Sequence, residues 1–253
     1  MKYGIVGATG RVGQLVVKIL MEEGEELGAV MFQGRETIQF PRNTLITNDG
    51  EELLKNCEIV IDFSSPIATK SLLTAGVKFP KPMVIGTTGL TDEHFQLMEQ
   101  ISQKVPIFYA TNMSIGIALL NQLVKMVAQK VPDYDIEIVE QHHRWKVDAP
   151  SGTALTLAQS VATGRNWNLE EVLVTGRKGE VGARRTQEIG VLAVRGGDVV
   201  GRHTVGFYGE GEFLELNHTA TSRETFARGA VRVAKWLVTQ PAGFYSMEDL
   251  LGF

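Results

Sequence analysis

The chain has 253 residues, a formal net charge of −4 and a single cysteine, Cys57. Hydrophobic residues make up 43% of the chain and charged residues 21%, which is typical of a folded globular protein and excludes a disordered one. The nearly balanced charge gives no electrostatic reason to bind nucleic acid, and one cysteine excludes an internal disulfide or a cysteine-based zinc site. No apolar run approaches the roughly 18 residues of a membrane helix. We therefore expect a cytoplasmic protein of one or two domains, without a membrane segment or a metal.

The first half of the chain alternates strand-like and helix-like segments. Short apolar runs predict five strands, at residues 2–6, 27–32, 58–63, 83–87 and 105–110. Apolar residues at helical spacing predict helices at residues 13–23 and 66–77, and a further helix that begins after Thr91 as its N-cap. Repeated alternation of this kind is typical of a parallel, doubly wound α/β sheet.

The second half has a different pattern. Helical spacing covers residues 114–130, 151–164 and 224–237, and an alternating strand runs from residue 135 to residue 142. Residues 175–188 are charged and contain glycines, which predicts a mobile loop. Three β-like runs follow, and the short glycine-rich turns between them predict antiparallel pairing. These runs cover residues 191–195, 203–208 and 212–219.

A glycine-rich turn lies between the first predicted strand and the first predicted helix. Its sequence, GATGRVG at residues 7–13, is a variant of the dinucleotide fingerprint, in which glycines let the backbone approach a pyrophosphate at a helix N-terminus. A simple tight turn would also use glycines, but the strand–turn–helix context favours nucleotide binding. Arg11 is equally suited to contact a phosphate or to lie in solvent at the start of the helix.

The acidic residue that usually binds the adenosine ribose is missing after the second predicted strand. The strand end at residues 31–35 carries no carboxylate. Phe32 would pack against adenine or against the core, and Arg35 could meet a 2′-phosphate. The choice between NADH and NADPH is therefore open.

Two further turns follow the fourth and fifth predicted strands, at residues 86–89 and 110–113. In an open α/β sheet, ligands bind at the carboxyl ends of the strands, and small residues there would let a nicotinamide ring lie close to the backbone. Ordinary strand-to-helix turns account for these residues equally well. Ser64 and Ser65, after the third predicted strand, belong to the same rim.

The densest group of reactive side chains lies in the string EQHHRWKVDAPSGTA, residues 140–154. Neighbouring strand residues point to opposite faces, so His142 and His143 are not expected to share a metal. Residues 151–153 begin a helix after a proline, which makes an anion site of N–H groups and hydroxyls, and Lys146 adds positive charge. Each residue has a plain alternative: an N-cap for Ser151, a surface charge for Lys146, a hydrogen bond for each histidine. Their density favours a carboxylate-bearing substrate with proton-transfer groups nearby.

Other polar residues of the second half are less informative. His203 and His218 lie on β-like runs, where most histidines are structural, and we predict that role for both. Arg223 could bind a carboxylate or pair with Glu224 at the start of the last predicted helix.

Taken together, these strings resemble one enzyme family. Along nearly its whole length the chain is similar to the 4-hydroxy-tetrahydrodipicolinate reductases, also called dihydrodipicolinate reductases, of bacterial lysine and diaminopimelate biosynthesis. The string at residues 140–154 is highly specific for that family. The supporting strings are GATGRVG, IDFSSP, IGTTGL, YATNMSIG, RGGDVVGRHTV and HTATSRETFARGA.

The resemblance implies an oxidoreductase that reduces 4-hydroxy-tetrahydrodipicolinate to tetrahydrodipicolinate with NADH or NADPH. It implies a Rossmann-like dinucleotide-binding domain made of residues 1–113 and 224–253. Residues 114–223 would form an α+β domain whose mixed sheet binds the substrate and mediates a homotetramer. The substrate would be a small dicarboxylate, and neither nucleic acid nor a membrane is implied as a partner.

The resemblance also implies roles for individual residues. His142 would donate or accept a proton, and Lys146 would donate one. The substrate carboxylates would be held by His143, Lys146, Ser151, Gly152 and Thr153. The cofactor would be bound by Gly7, Ala8, Thr9, Gly10, Arg11, Val12, Gly86, Thr87, Thr88, Ala110, Thr111, Asn112 and Met113.

The chain departs from the family pattern in three places, all of which bear on the adenosine end of the cofactor. The acidic residue after the second strand is replaced around Phe32 and Gln33, a basic residue that some members carry is Ser65 here, and the segment before the third predicted strand is short. Two alternatives stay open: another NAD(P)-dependent dehydrogenase, and a non-catalytic dinucleotide-sensing protein of the same fold. The DAPSGT string disfavours the first, and the presence of His142 and Lys146 disfavours the second.

Overall fold

The computed structural model describes residues 1–32 and 39–253, so the predictions for Gln33 and Arg35 lie outside the described residues. The chain divides into two compact units, Met1–Ser114 with Glu224–Phe253, and Ile115–Arg223. The first unit is therefore built from both ends of the chain. Among the described residues, no helix combines the length and apolar character that crossing a membrane requires.

The elements are numbered in chain order. The strands within the described residues are β1 (Lys2–Val6), β2 (Glu26–Met31), β3 (Leu45–Thr47), β4 (Ile59–Asp62), β5 (Met83–Ile85), β6 (Pro106–Tyr109), β7 (Asp135–His142), β8 (Leu173–Val174), β9 (Ile189–Arg195), β10 (Gly201–Tyr208), β11 (Phe213–Ala220) and β12 (Gly243–Tyr245). The helices are α1 (Arg11–Glu22), α2 (Gly50–Lys55), α3 (Pro66–Lys78), α4 (Asp92–Ser102), α5 (Ile115–Lys130), α6 (Gly152–Arg165), α7 (Leu169–Val172), α8 (Glu224–Leu237) and α9 (Met247–Leu251).

The first unit contains a seven-stranded sheet in which every strand runs parallel to its neighbours. Its order, β12-β6-β5-β4-β1-β2-β3, runs outward from β1 in both directions. The chain therefore reverses its course across the sheet between β1 and β4, and the carboxyl edge at that point is where open α/β sheets bind ligands. The prediction of a Rossmann-like, doubly wound parallel sheet is confirmed.

Helices cover both faces of this sheet, each over its own apolar cluster. Side chains of β1 alternate between the faces, so Ile5 enters one cluster and Val6 the other. Leu20 of α1 and Ala234 of α8 join Ile5. Leu72 of α3 joins Val6, together with side chains of α2 and α4. Burial on both faces explains why these strands read as nearly continuous apolar runs.

The segment between β2 and β4 holds two short elements that the sequence analysis did not predict. β3 pairs in parallel with β2 at the sheet edge. α2 begins after Asp49, whose side chain accepts hydrogen bonds from the N–H groups of Glu51 and Glu52. A strand of three residues is too short to show a repeating pattern, which is why the periodicity did not reveal it.

The second unit contains a five-stranded mixed sheet, in the order β11-β10-β7-β9-β8. β10 is antiparallel to both β7 and β11, whereas β9 is parallel to β7 and to β8. Antiparallel pairing was therefore predicted correctly for β10 with β11 and wrongly for β9. The reason is that β7, from earlier in the chain, lies between β9 and β10 and takes both as partners.

One face of the mixed sheet packs against α5 and α6. The alternating residues Ile136 and Ile138 of β7 lie in this core, as do Val191 of β9 and Phe207 of β10. The registers place these four side chains on one face, since Val191 is opposite Ile138 and Phe207 is opposite Ile136. The predicted half-buried strand at 135–142 is thus explained by helices that cover one face only.

Residues 175–188 contain neither helix nor strand, as predicted for a loop. Arginines attach this segment to the sheet. Arg177 donates to the carboxylates of Glu137 and Glu188, and Arg184 pairs with Asp135 and donates to the backbone carbonyl of Glu188. The mobility of the loop stays a prediction.

We expect Gly164→Ala to destabilise the second unit by about 1–2 kcal/mol. A Cβ at this position on α6 would lie 2.5 Å from the carbonyl oxygen of Lys125 and 3.0 Å from the Cβ of Ala128. Alanine is favoured over glycine in a helix by about 1 kcal/mol, but overpacking a backbone contact costs up to roughly 3 kcal/mol. Urea unfolding followed by circular dichroism measures the difference.

The control for this change is Gly196→Ala, because a Cβ at residue 196 meets no atom within 4 Å. Equal unfolding midpoints for the two variants would contradict the importance of the close approach between α5 and α6.

Candidate functional site

The turn after β1 requires glycine at two positions. Gly7 has a φ of +81°, a left-handed conformation, and a Cβ there would run into the carbonyl oxygen of Phe63. A Cβ at Gly13 would run into the carbonyl oxygen of Gly7. The N–H of Gly10 closes the turn by donating to that same oxygen at 2.9 Å. The backbone of this turn therefore carries no side chain at its glycines, which lets a ligand approach it closely.

Helix α1 begins at this turn without a side-chain cap. Its N-cap is Gly10, and its first turn carries no acidic residue. Backbone N–H groups at such an end are left for a ligand, and the helix dipole favours an anion there. Arg11, exposed at the first position of α1, adds a positive charge. The geometry fits a pyrophosphate.

A pocket of about 440 Å³ opens beside the turn, at the carboxyl ends of β1, β2 and β4. This is the point where the strand order reverses. Every described side chain in the pocket wall is uncharged. Phe32 and Phe63 contribute aromatic rings to the wall, and polar groups come from Thr9, Asn48, Ser64, Ser65 and Ser71.

The turns after β5 and β6 lie at the same edge of the sheet. Gly86 is pressed against the ring of Phe63, and the buried Thr87 accepts a hydrogen bond from the N–H of Ser64 at 3.0 Å. Thr88 and Thr111 are exposed. At the carboxyl edge, these turns therefore place Gly86 and Thr87 in close packing and leave the hydroxyls of Thr88 and Thr111 exposed.

Several predicted cofactor residues have side chains that belong to the core. Ala8 and Met113 are buried in the apolar cluster under α1 and α8, and Val12 and Ala110 pack against it. The side-chain oxygen of Asn112 accepts from the N–H of Ser114 at 2.9 Å. Ligand contacts from the four apolar residues would therefore be made by the backbone.

Glu140 is the centre of a second cluster, at the end of β7. It is fully buried and accepts two hydrogen bonds from Arg195 of β9, each 2.7 Å long. It also accepts from Nδ1 of His142 at 2.6 Å and from the N–H of Ser151 at 3.0 Å. Donors from three segments thus converge on one carboxylate, with the paired geometry that a guanidinium provides.

This cluster sets the charge states of Glu140 and His142. Burial alone raises the pKa of Glu140, but the hydrogen bonds from Arg195 and His142 outweigh it and hold that pKa below its ordinary 4.5. Burial lowers the pKa of His142 below 6.5 and outweighs the opposing effect of Glu140. His142 is therefore neutral at pH 7. Because the carboxylate can only accept, the ring proton lies on Nδ1 and the lone pair on Nε2.

Lys146 lies on the loop after β7 and donates to both carboxylate oxygens of Asp148, at 2.7 and 2.8 Å. This contact lowers the pKa of Asp148. Arg195 donates to the backbone carbonyl of Asp148 at 2.6 Å, so the loop is attached to β9 as well. The charge of Lys146 is close enough to lower the pKa of His142. An ammonium and a neutral imidazole are thus held in one cluster.

Ser151 is the N-cap of α6, and its Oγ accepts from the N–H of Ala154 at 3.2 Å. The same oxygen contacts Nε2 of His203 at 3.1 Å. His203 is buried, which lowers its pKa to about 4, and its ring meets that of His142 edge-on at 5.1 Å. The exposed Gly152 follows Ser151 at the start of the helix. His203, for which the sequence predicted a structural role, therefore lies inside the cluster.

His143 does not share contacts with His142. Its ring lies 5.9 Å from that of the mostly exposed Trp145, and within the described chain its buried Nδ1 has no hydrogen-bond partner. Thr153 is half-buried in the first turn of α6. Of the predicted substrate residues, Ser151 therefore contacts Glu140 directly, and Lys146 is connected to it through Asp148 and Arg195.

The supporting residues of this cluster could not be identified from the sequence pattern. Glu140 and Asp148 lie inside the string that it singled out, but nothing in the pattern gave them a role. Arg195 follows 55 residues after Glu140 and comes opposite His142 only through the parallel register of β7 and β9. His203 comes opposite Glu140 through the antiparallel register of β7 and β10. Strand alternation predicts which side chains of one strand share a face. It does not predict which strands pair, so it could not bring Arg195 and His203 to Glu140.

A glycine turn and an uncapped helix start at the carboxyl edge of a doubly wound parallel sheet are typical of dinucleotide-dependent enzymes. The chain matches family models in both halves: "Dihydrodipicolinate reductase, N-terminus" over residues 1–113 and "Dihydrodipicolinate reductase, C-terminus" over residues 116–251. The chain belongs to the dihydrodipicolinate reductase family.

Relatives match along the full length of the chain. It is 56% identical over 252 residues to the 4-hydroxy-tetrahydrodipicolinate reductase of Sulfurovum sp., with 99% of each chain covered. It is 53% identical to the enzyme of the same name from Wolinella succinogenes, again with 99% of each covered. Among solved structures, the dipicolinate-bound dihydrodipicolinate reductase of Paenisporosarcina sp. TG-14 matches with a TM-score of 0.80 at 25% identity and 99% coverage of both chains.

We expect Glu140→Gln to lower the pKa of His142 below its value in the unaltered protein. The substitution removes the negative charge that raises this pKa and leaves Arg195, which lowers it, beside the ring. A titration of the imidazole nitrogens by nuclear magnetic resonance measures the change.

Glu137→Gln is the matched control. Glu137 lies on the same strand but on the opposite face, where it binds Arg177, so the titration of His142 should stay as it is. An unchanged His142 pKa in Glu140→Gln would show that the carboxylate does not control the ring.

Proposed function

We propose that the chain reduces 4-hydroxy-tetrahydrodipicolinate to tetrahydrodipicolinate with NADH or NADPH, a step of lysine and diaminopimelate biosynthesis. The main support for this proposal is the family match across both units; the second unit also gathers His142 and Ser151 around Glu140, with Lys146 linked to them through Asp148 and Arg195. A cytoplasmic location is part of the proposal, and the single, buried Cys57 fits a reducing compartment.

The first unit is proposed as the dinucleotide-binding domain. The glycine turn and the uncapped start of α1, at Gly7 to Val12, would hold the pyrophosphate. Residues Gly86 to Thr88 and Ala110 to Met113 would approach the nicotinamide end. When bound, the cofactor would supply a hydride to the substrate ring.

The second unit is proposed as the substrate domain. The N-terminal turn of α6, from Ser151 to Thr153, offers backbone N–H groups and hydroxyls to a carboxylate, and Lys146 and His143 would take part in holding it. A dicarboxylate fits these groups, in keeping with the dipicolinate in the related solved structure. Arg195 is already engaged by Glu140 and by Asp148, so we assign it a supporting role.

The charge states favour Lys146 over His142 as the proton donor. His142 is neutral, its single ring proton points at Glu140, and its Nε2 can only accept. The ammonium of Lys146 has three protons, and its two hydrogen bonds to Asp148 leave one for the substrate. In this scheme the 4-hydroxyl group of the substrate leaves as water, Lys146 protonates the carbon next to the reduced position, and its positive charge stabilises the negative charge that develops there.

Oxidation of NADH and of NADPH, measured with enzymatically generated substrate, tests the assignment. We expect oxidation with at least one of the two cofactors. No oxidation with either would overturn the proposed activity.

Lys146→Ala should lower kcat by about 10²- to 10³-fold, which is the usual contribution of a general acid. The Kd for NADH should rise only modestly, because the residues proposed to bind the cofactor belong to the first unit. Lys130→Ala, at the exposed end of α5, is the control and should keep full turnover. An unchanged kcat in Lys146→Ala would remove this residue from the chemistry.

We further propose that the second unit mediates a homotetramer, as the family resemblance implies. Helices cover one face of its sheet, and the open face carries apolar side chains. Val194 is 50% exposed and Phe213 is 65% exposed. Their partners in the register, Gln141 and Tyr208, place both on the face away from α5 and α6. Exposed apolar side chains on the face away from the helices fit contact with a second copy of the chain.

The double change Val194→Glu with Phe213→Glu should dissociate the tetramer, because it places charges in the proposed interface. Size-exclusion chromatography with light scattering measures the mass. Met126→Glu, at a residue that is 50% exposed on α5, is the control and should stay tetrameric. A tetramer that survives the double change would contradict this interface.

A further inference from the structure

Asp62, the last residue of β4, is a fully buried carboxyl group that the proposed reaction does not use. Its two oxygens accept from the hydroxyls of Ser64 and Thr69, each at 2.5 Å, and the hydroxyl of Thr87 is a third donor. Burial raises the pKa of Asp62 to about 6, so the group is ionised at neutral pH. Its donors are hydroxyls and the backbone of Ser64, none of which carries a charge, so a charge here is costly and needs a reason beyond packing.

The hydrogen bonds fix the direction in which each hydroxyl points. A carboxylate can only accept, so Ser64, Thr69 and Thr87 must each donate their proton to Asp62. The other contacts of Ser64 Oγ, to the carbonyl oxygen of Ser65 and to Thr69 Oγ1, are longer, at 3.5 Å. Ser64 Oγ is therefore left with lone pairs alone.

Ser64 faces the pocket at the carboxyl edge of the sheet. It lines the 440 Å³ pocket beside the glycine turn, and its own N–H is engaged by Thr87. The pocket wall thus holds an oxygen that can accept a hydrogen bond and cannot donate one. Thr69 shares the carboxylate but does not line this pocket, because it is buried in α3.

We propose that Asp62 is a positioning residue of the dinucleotide site, which holds Ser64 Oγ as an obligate acceptor for a ribose hydroxyl of the cofactor. A ribose hydroxyl carries a proton to give, whereas a phosphate at this oxygen would bring only acceptors. This inference rests on the proposed function, since it assumes that the dinucleotide binds at this edge.

Asp62→Asn tests the proposal with almost no change in volume. The amide of asparagine offers one oxygen and one NH2 group, which can only donate, so it can no longer take the protons of all three hydroxyls, and Ser64 is released to turn. We expect the Kd for NADH, measured by calorimetry, to rise about three- to tenfold, as for the loss of one neutral hydrogen bond. Ser64→Ala should give the same loss.

The double variant separates positioning from general damage. If Asp62 acts through Ser64, then Asp62→Asn with Ser64→Ala binds NADH no more weakly than Ser64→Ala alone. Thr69→Val is the matched control: it removes a hydroxyl from the same carboxylate, so thermal stability should fall while the Kd for NADH stays the same.

Three results would contradict the proposed role of Asp62. Additive losses in the double variant, unchanged NADH binding in Ser64→Ala, or equal weakening in Thr69→Val would overturn the positioning role. If Asp62→Asn does not fold, the comparison of Ser64→Ala with Thr69→Val decides alone. If the unaltered protein binds neither NADH nor NADPH, the proposed function itself fails, which is a different result from a binding protein that is insensitive to Ser64.

Discussion

The cluster in the second unit depends on the hydrogen bonds that the buried carboxylate of Glu140 accepts. A charge in the protein interior costs several kcal/mol unless donors surround it, and here the donors come from β7, β9 and the start of α6. The side chain of Glu140 therefore links two features of the fold. One is the parallel register that brings Arg195 opposite His142, and the other is the position of α6. The orientation of the imidazole follows from the same contacts, because its Nδ1 proton has Glu140 as its acceptor.

Asp62 and Glu140 show how the kind of donor sets the pKa of a buried acid. Glu140 faces a full positive charge, and its pKa lies below 4.5, whereas Asp62 faces hydroxyls, and its pKa rises to about 6. The two acids therefore act on stability in opposite senses. The contribution of Glu140 is complete above its unfolded pKa and is lost as the pH falls through its lower folded value. Ionised Asp62 instead penalises the folded state, and that penalty is relieved as the pH falls below about 6.

The sequence was most informative where a pattern is local. Glycines at the first turn, the alternating strand at 135–142 and the helix starts at Pro66 and Ser151 follow from neighbours in the chain, and the structure has each of them. Features that depend on distant pairing could not be predicted in the same way. The parallel partner of β9 and the salt bridge of Arg195 with Glu140 exist only because β7 lies between β9 and β10. β3 was missed because its stability comes from β2 beside it and not from its own three residues.

The first unit takes its last helices and strand from the end of the chain, and this has a consequence during translation. Residues 1–114 leave the ribosome first, but the sheet face around Val84 and Phe108 has no cover until α8 has been made. The second unit is continuous from Ile115 to Arg223 and has all its strands by then. The middle of the nascent chain can therefore complete its fold before the beginning does. Until then, the unfinished sheet exposes the kind of apolar surface that chaperones bind.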